Sequence, residues 1–382
     1  MAPGEQVRHV SARVSTGLTQ LKNGLVARVV LGAAVLVLVA PTTTSASPFG
    51  APPSFQAGTI VVSQGGTIYG NGGSGVGTTV EENGDVHLYA PNANGDAAPE
   101  ASFINGIYGP TTMAFDPAGD LWVANENTST LVELTRAQLR TANPVPRVTI
   151  SSTVGDLVNP FGMVFDRGGN LWVVGNNVGR VFEYTKEQLA TSGSPTPQIT
   201  ISDFPGPLLG DGFDASGDLW VTTMLSPSCP QGCLVEFSKD ELALANPKPT
   251  VTISSIGGAN IAFTPSGNLW LVTGGGPNCF GTPCTNQLVE YTKAQLATSG
   301  SPTPAVSISS TNVGPVQSLD GPFSLAVAPS GEVWVANFFN NTTVEYGRDQ
   351  LTQSGSPTPL RTIVGPNSGM NFPSFVLVEP SG

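Results

Sequence analysis

The sequence is poor in charge, in histidine and in long apolar runs, and each shortage excludes a class of protein. Charged residues make up 11% of the 382 residues, whereas Gly 46 and Pro 33 are abundant, which favours short strands and tight turns over helices. The two histidines are His9 and His87, too few for a histidine-based metal site. The apolar run from Val29 to Ala40 is shorter than the roughly 20 residues that a membrane-spanning helix needs.

That apolar run belongs to a segment with the layout of an export signal. Small residues follow it in PTTTSASPFG (41–50), and four basic residues precede it: Arg8, Arg13, Lys22 and Arg28. We therefore expect residues 1–46 to be a signal peptide and 47–57 a proline-rich linker. An uncleaved anchor is the alternative, because the charged region before the run is long. The expected location is outside the cell or on its surface, with a mature domain that does not span the membrane.

The rest of the chain is strongly acidic. Residues 1–46 contain four of the 15 Lys+Arg and one of the 27 Asp+Glu, so the remainder has 11 against 26 and a net charge of −15. Such a surface repels phosphate backbones, which excludes nucleic acid as a partner. The acidity serves either solubility or the attraction of cations.

The four cysteines fall into two close pairs, Cys229 with Cys233 and Cys279 with Cys284. In an exported chain this arrangement predicts two local disulfides. A four-thiolate zinc site is the alternative, although neither spacing is the usual two-residue gap. Because each ring is small, a bridge would contribute about 2 kcal/mol, enough to hold a loop but not to define the fold.

One unit of about 50 residues occurs five times. Each copy contains four runs with strand character and a connector, such as YTKEQLATSGSPTP at 184–197, which recurs with one change at 291–304. Within the connector, Thr185 and Gln188 form a capping box that predicts a single helical turn. The first halves of the units are PTTMAFDPAGDLWVAN (110–125), PFGMVFDRGGNLWVVG (160–175), LLGDGFDASGDLWVTT (208–223), GANIAFTPSGNLWLVT (258–273) and PFSLAVAPSGEVWVAN (322–337).

Four strands repeated every 40–50 residues are typical of a β-propeller blade. The segment NFPSFVLVEP (371–380) resembles a first strand without a continuation, and GTIVVSQ, GDVHLYA and EASFING near the other end supply the missing three. We therefore predict an all-β fold over 58–382, a six-bladed β-propeller of four-stranded blades. Pairing of the N-terminal strands with the C-terminal strand would close the ring and remove its exposed edges.

Two residue types recur once per blade and are expected to be structural. A tryptophan in the second strand would pack between neighbouring blades, and a glutamate in the third strand would make a repeated hydrogen bond. The positions are Trp122, Trp172, Trp220, Trp270 and Trp334, with Glu133, Glu183, Glu236, Glu290 and Glu345.

The blade motifs resemble those of NHL-repeat propellers and of the wider superfamily with SMP-30/gluconolactonase and virginiamycin B lyase-like proteins. GDLWVAN, GNLWVVG and GEVWVAN after a P-x-x-M-x-F-D type of strand carry the resemblance, which covers about 58–380. It implies the fold and says little about function, because propellers host unrelated activities. A virginiamycin B lyase-like site implies a catalytic histidine and a metal. His87 lies within a third strand, so we expect it to be structural.

A gluconolactonase-like site implies a divalent cation such as Ca²⁺, held by Glu, Asn and Asp at the channel and able to polarise a lactone carbonyl. Two positions match loosely. Asp211 replaces the apolar residue of the other first strands, and Asn260 replaces a glycine. No first-strand glutamate completes the set, and a solvated channel group is the simpler interpretation of Asp211.

The loops between second and third strands, and between one blade and the next, share one face of a propeller. They differ from blade to blade, whereas the connectors on the other face are alike, so ligand contact is expected at the irregular loops. The candidate binding residues are Asn125, Glu126, Asn176, Asn177, Asp211, Asn260, Asn337 and Phe338. We expect a monomeric binding module for a small molecule, a glycan or a protein. The alternative is a metal-dependent lactonase, although no catalytic constellation is visible.

Overall fold

A computed structural model describes residues 55–65, 84–152, 155–176, 178–202, 204–254, 258–274, 286–313 and 316–380, with four short strands before them. The chain forms two units, Met1–Pro52 and Pro53–Gly382. In the first unit β1 (Gln20–Leu21) pairs with β2 (Gly24–Leu25), and β3 (Arg28–Leu31) pairs with β4 (Ala34–Val37). The expected cleavage site at 44–46 lies outside the described residues. Among the described residues, no helix has the length and apolar character to cross a membrane.

The second unit contains six antiparallel four-stranded sheets, which we number as blades 1 to 6. From the innermost strand outward they are blade 1, β8 (Pro110–Phe115), β9 (Leu121–Asn125), β10 (Thr130–Leu134) and β11 (Val148–Ser151); blade 2, β12 (Pro160–Phe165), β13 (Leu171–Gly175), β14 (Arg180–Tyr184) and β15 (Ile199–Ile201); and blade 3, β16 (Leu208–Phe213), β17 (Leu219–Thr223), β18 (Cys233–Phe237) and β19 (Val251–Ser254). They continue with blade 4, β20 (Ile261–Phe263), β21 (Leu269–Thr273), β22 (Gln287–Tyr291) and β23 (Val306–Ser309); blade 5, β26 (Pro322–Val327), β27 (Val333–Asn337), β28 (Thr342–Tyr346) and β29 (Arg361–Ile363); and blade 6, β30 (Pro373–Val378), β5 (Ile60–Gln64), β6 (Asp85–Tyr89) and β7 (Ala101–Phe103).

A few short elements lie outside the blades. A hairpin of β24 (Asn312–Val313) and β25 (Val316–Gln317) stands between blades 4 and 5. The connectors contain α1 (Lys239–Leu242), α2 (Lys293–Leu296) and the 3-10 turns Gln138–Arg140, Gln188–Ala190 and Arg348–Leu351. The predicted capping contacts are present, because Thr185 N donates to Gln188 Oε1 at 2.9 Å and Gln188 N donates to Thr185 Oγ1 at 3.3 Å. The same pair of contacts occurs at α2, between Thr292 and Gln295.

Blade 6 confirms the predicted closure of the ring. Its innermost strand comes from the C-terminal end of the chain and pairs with β5, with Val376 opposite Val62. We call the region where the two ends of the chain meet the seam. An ion pair reinforces it, because Arg136 Nη2 of blade 1 lies 2.6 Å from Glu379 Oε1. The same guanidinium lies over the ring of Phe55, at 5.7 Å from its centroid. Phe55 falls in the expected linker and is buried in the core.

The core consists of layers between neighbouring blades, and the repeated tryptophans lie in those layers. Trp122 of blade 1 contacts Phe165 of blade 2 at 6.1 Å between ring centroids. Trp172 with Phe213 and Trp220 with Phe263 repeat the contact at 6.0 and 6.1 Å. The recurring residues of the second strand therefore join each blade to the next.

The connectors attach each blade to the one before it. In the blade 4 connector, Ser299 Oγ accepts a hydrogen bond from Thr252 N at 3.0 Å, and Gly300 pairs in parallel with Ile253 of blade 3. Gly193 with Ile150 and Gly355 with Ile308 repeat this pairing, and Gly95 with Ile363 does so across the seam. The repeated Ser-Gly-Ser-Pro string thus holds the outermost strand of the preceding blade.

One of the two expected disulfides is present. Cys229 and Cys233 are bonded, with their Cα atoms 5.7 Å apart, beside the end of the loop between β17 and β18. Cys279 and Cys284 lie outside the described residues.

Candidate functional site

The innermost strands surround a central channel. Each places one residue opposite the middle of its second strand, and five of these six residues are apolar. They are Met113, Met163, Asp211, Ile261, Leu325 and Val376. Asp211 is therefore the exception that the repeat alignment predicts.

Asp211 is buried against blade 2. The residue is 5% exposed, and its Oδ1 would lie 2.7 Å from a β-carbon on Gly162, so the missing side chain there makes room for the carboxyl. Oδ2 has no hydrogen-bond partner among the described residues. Burial raises the pKa of this carboxyl well above its usual range, and its own backbone amide offsets only part of that.

Asn260 lies beside Gly210, one blade further along the ring, where a β-carbon would first meet backbone atoms, Ala259 O at 2.7 Å and Asn260 Cα at 3.0 Å. Its Nδ2 would lie 3.4 Å from a β-carbon on Gly210. Its Oδ1 accepts a hydrogen bond from Leu325 N at 3.2 Å, which ties blade 4 to blade 5. Ser324 does the same for the next pair of blades, since its Oγ accepts from Val376 N at 2.8 Å. The side-chain carbonyl of Asn260 thus links two neighbouring blades, and its amide nitrogen remains available for hydrogen bonding in the channel.

Both side chains line one cavity of about 570 Å³. Its wall consists mainly of apolar residues of the innermost strands, including Met113, Met163 and Leu325. The lining continues into the hairpin turns that follow these strands, at Ala215, Pro265 and Pro329. The cavity therefore opens on the face of the connectors, not on the face of the irregular loops.

Two phenylalanines close the channel at its other end. Phe161 is the second residue of β12 in blade 2, and Phe323 is the second residue of β26 in blade 5, directly opposite in a ring of six. Their ring centroids are 5.9 Å apart, so the side chains meet across the channel. Sequence reasoning missed both, although the repeated Pro-Phe at the start of these two strands was a visible signal.

The two phenylalanines belong to an aromatic cluster on the loop face, formed by Phe161, Phe323, Phe338, Phe339 and Phe372. Phe338 is its centre, with ring centroids 5.8 Å from Phe323, 5.6 Å from Phe339 and 5.1 Å from Phe372. Phe338 itself is buried, whereas Phe339 is 40% exposed. The cluster offers an apolar surface at the centre of the loop face.

The asparagines that were predicted as binding residues of the irregular loops hold those loops in place. Asn125 Nδ2 donates to Gly106 O at 2.7 Å, and its Oδ1 accepts from Tyr108 N at 3.0 Å. Asn337 does the same in blade 5, with Ser318 O at 2.9 Å and Asp320 N at 3.2 Å. Asn176 Nδ2 donates to the carbonyl of Leu208. Asn177 lies outside the described residues.

Glu126 differs from the asparagines beside it. Its carboxyl is buried, and neither oxygen has a hydrogen-bond partner among the described residues. Burial raises the pKa of Glu126 to about 8, so this carboxyl is largely neutral at pH 7.

His87 is part of the seam in blade 6. Its Nε2 lies 3.0 Å from Asp85 Oδ2, and its Nδ1 lies 3.0 Å from the hydroxyl of Tyr89. Tyr89 in turn donates to Ser368 O at 2.6 Å, which links β6 to the segment before β30. These contacts fit the expectation of a structural histidine.

The channel residues do not fit a divalent cation. Asp211 supplies one free oxygen, and the carbonyl of Asn260 is already an acceptor for Leu325 N. The described residues bring three carboxylates together at two other places, Asp116 with Asp120 and Glu133, and Asp214 with Asp218 and Glu236. In the first of these groups Arg147 forms an ion pair with Glu133.

Solved structures share this architecture. A protein of unknown function from Bacteroides caccae aligns with a TM-score of 0.53 at 11% identity, over 84% of this chain and 98% of that one. A chain of a nidogen/laminin complex gives 0.53 at 12%, over 85% and 98%. Virginiamycin B lyase from Staphylococcus aureus gives 0.42 at 11%, over 72% and 80%. No protein-family model and no curated protein sequence matches the chain.

The chain has the β-propeller fold. The β-propeller fold that the predicted resemblance implies is confirmed by the six blades and by the two structures with a TM-score of 0.53. Identities of 11 and 12% support the fold alone. The likeness to SMP-30 proteins stays a prediction.

Proposed function

We propose that the propeller is a binding module that holds a partner protein against its loop face. The observation that carries this proposal is the aromatic cluster at the centre of that face. Aromatic side chains are enriched in the cores of protein interfaces, where they contribute much of the binding energy. Exposed apolar residues in other loops of the same face extend the surface, at Ile104, Tyr108 and Leu225.

The closed end of the channel favours a protein over a small molecule at this face. Phe161 and Phe323 meet across the axis, so among the described residues their rings stand between the centre of the loop face and the cavity below it. The propeller of similar fold in the nidogen/laminin complex, an assembly of proteins, agrees with the proposal.

The charge of the chain suggests the chemistry of the partner. Residues 47–382 carry a net charge of −15, as derived above from 11 basic and 26 acidic residues. We therefore expect a partner surface with basic residues around an apolar centre, and an association rate that falls as salt increases.

Selection from a displayed protein library, against the purified protein, tests this function. Phe339→Asp places a charge in the cluster and should weaken selected binders at least tenfold. Leu360→Asp is the matched control, since Leu360 is 59% exposed in the connector of blade 5 on the opposite face. Binders that tolerate Phe339→Asp but not Leu360→Asp would contradict the proposal.

The lactonase alternative retains one supporting observation, the unpartnered oxygen of Asp211. Thermal unfolding with Ca²⁺, Mg²⁺ or EDTA, together with a panel of lactones, tests it directly. Turnover that Asp211→Ala abolishes without unfolding the protein would establish this enzyme. Absence of both a metal-dependent shift and turnover would remove it.

Export through the N-terminal segment is the remaining part of the proposal. Expression of the full chain in a secreting host, followed by N-terminal sequencing, tests it. A mature end at Ser47 supports a cleaved signal, whereas an intact chain retained at the membrane supports the anchor.

A further inference from the structure

The channel cavity, closed at its loop-face end and open at its connector-face end, is lined by two polar side chains whose hydrogen-bonding capacity is not fully used. Oδ2 of Asp211 is buried and has no hydrogen-bond partner among the described residues. Asn260 lines the same cavity and accepts a hydrogen bond through Oδ1, which leaves the hydrogens of its Nδ2 for a ligand. An unmade hydrogen bond in an apolar environment costs free energy, so the carboxyl oxygen requires an explanation.

A glycine of the preceding blade lies beside each group. The one beside Asp211 makes room for its carboxyl, whereas a β-carbon on the one beside Asn260 would first meet the backbone of blade 4, a carbonyl oxygen at 2.7 Å and Asn260 Cα at 3.0 Å. A β-carbon on Gly162 would lie 2.7 Å from Asp211 Oδ1, and one on Gly210 would lie 3.4 Å from Asn260 Nδ2. In the corresponding position blade 5 has Ser324, whose hydroxyl is used between blades. The carboxyl of Asp211 in the space of a missing side chain, next to a polar residue in blade 4, forms a local feature that departs from the repeat.

Both groups act as donors in this environment. An uncharged carboxyl carries a proton that it can donate, and an amide nitrogen has two hydrogens and no lone pair to offer. Nothing cationic is among the described residues that line the cavity, so the carboxyl has no counter-charge. Two donors in a mainly apolar wall, which also contains Asp214 and Thr264 at its turn end, are complementary to an acceptor oxygen.

We propose that this cavity binds an apolar small molecule through a carbonyl oxygen, which accepts hydrogen bonds from the Asp211 carboxyl and the Asn260 amide. The volume of about 570 Å³ is in the range of small-molecule sites. The ligand enters from the connector face, because the phenylalanine pair closes the other end. This site is separate from the protein-binding surface and does not depend on it.

An organic cation fits the cavity less well. An ammonium group would pair with an ionised Asp211, but the amide hydrogens of Asn260 would then face a positive charge. Burying such an ion pair also costs desolvation of both charges. A neutral carbonyl compound avoids both penalties.

Fluorescence titration with prodan, an apolar naphthalene that carries one ketone, tests the proposal on the purified protein. We expect saturable binding with a blue-shifted emission. Asp211→Leu should weaken it at least tenfold, although it makes the cavity more apolar. Asp211→Asn keeps a donor at this position and should stay within about threefold of the wild type, which separates the lost donor from a lost fold.

Three controls locate and classify the binding. N-phenylnaphthylamine, a probe of similar size without a carbonyl, should bind the wild type and Asp211→Leu equally weakly. Phe339→Ser on the loop face should leave prodan binding unchanged. A naphthalene with a trimethylammonium group should not displace prodan.

Each of the opposite results overturns the proposal. Prodan bound as tightly by Asp211→Leu as by the wild type, or not bound up to its solubility limit, excludes the donor pair. Equal affinity for the probe without a carbonyl excludes carbonyl recognition, loss of prodan binding in Phe339→Ser places the probe on the loop face, and displacement by the ammonium compound assigns the site to cations.

Discussion

Oδ1 of Asp211 lies 2.7 Å from the point that a β-carbon on Gly162 would occupy, so a carboxyl of blade 3 fills the space of a side chain from blade 2. Gly162→Ala should therefore crowd the contact between two blades and lower the free energy of unfolding by about 1–3 kcal/mol. Urea denaturation of the purified protein measures the change.

Gly300→Ala is the control for this substitution, because a β-carbon there would meet nothing within 4 Å. It should change the free energy of unfolding by less than about 0.5 kcal/mol. The double variant Gly162→Ala with Asp211→Ala should recover stability relative to the sum of its parts. Strict additivity would show that the two side chains do not compete for space.

Asp211 is expected to weaken the fold that contains it. Asp211→Leu restores the apolar residue that Leu325 provides in blade 5, and it removes a buried carboxyl oxygen without a partner. We expect the free energy of unfolding to rise by about 1–3 kcal/mol. Denaturation midpoints of both proteins at pH 7 measure this, and a midpoint lowered by the substitution would contradict it.

The buried carboxyls predict a protein that is more stable in mild acid than in mild base. Burial raises the pKa of Glu126 to about 8, and burial with the neighbouring Asp218 and Asp214 raises the pKa of Glu236 to about 7, from an ordinary value of 4.5. A raised pKa means that the folded state retains protons which the unfolded state has lost. The stability that each group contributes is present below pH 4.5 and is lost as the pH rises to 7 or 8.

Thermal unfolding between pH 5 and pH 8.5 measures that dependence. Each group changes the free energy of unfolding by at most about 1.4 kcal/mol per pH unit within its window. Glu126→Gln should flatten the upper part of the profile and Glu236→Gln the part below pH 7. A melting temperature that rises steadily with pH would be inconsistent with this account.

The ion pair between Arg136 and Glu379 should contribute more to the stability of the protein than the arginine at the same position of another connector does. Glu379 is completely buried, so Arg136→Met removes the ion-pair partner of its carboxylate and leaves only the more weakly acting Arg140 as a nearby positive charge. We expect a loss of about 2 kcal/mol, below the range for fully buried pairs because the guanidinium is one-third exposed. Arg348→Met, at the same position of the blade 5 connector, is the control and should change stability by less than half as much.

The sequence carried most of the fold because the fold is periodic. The alternating strands, the glycine of each hairpin turn and the tryptophan of each second strand recur together, so five aligned copies reveal a blade. Closure of the ring was predictable by counting strands at the two ends of the chain. One strand at the C-terminal end (β30) and three at the N-terminal end (β5 to β7) make up one four-stranded blade. These features depend on local pattern, and local pattern is what a single sequence contains.

The site was predictable only in part. Asp211 was visible as a departure from the aligned copies, because it replaces an apolar residue that the other blades share, and Asn260 because it replaces the glycine of blades 2 and 3. The contact of Phe161 with Phe323 joins opposite blades, and no periodic pattern indicates which side chains meet across the axis. Burial of the asparagines in the irregular loops likewise depends on how each loop folds back, as in the bonds of Asn125 to Gly106 and Tyr108.

The pairing of each connector with the preceding blade determines where the ring can be cut. Gly193, Gly300 and Gly355 pair with the outermost strands of blades 1, 3 and 4, and Gly95 pairs with that of blade 5. A cut between two sequence repeats therefore separates a connector from the preceding blade to which it is bonded. A circular permutant opened in a loop between two blades retains every one of these contacts. A chain divided at the same loop into two separate halves must instead find them again by association, which makes this propeller a natural candidate for a split reporter whose halves recognise each other through their own connectors.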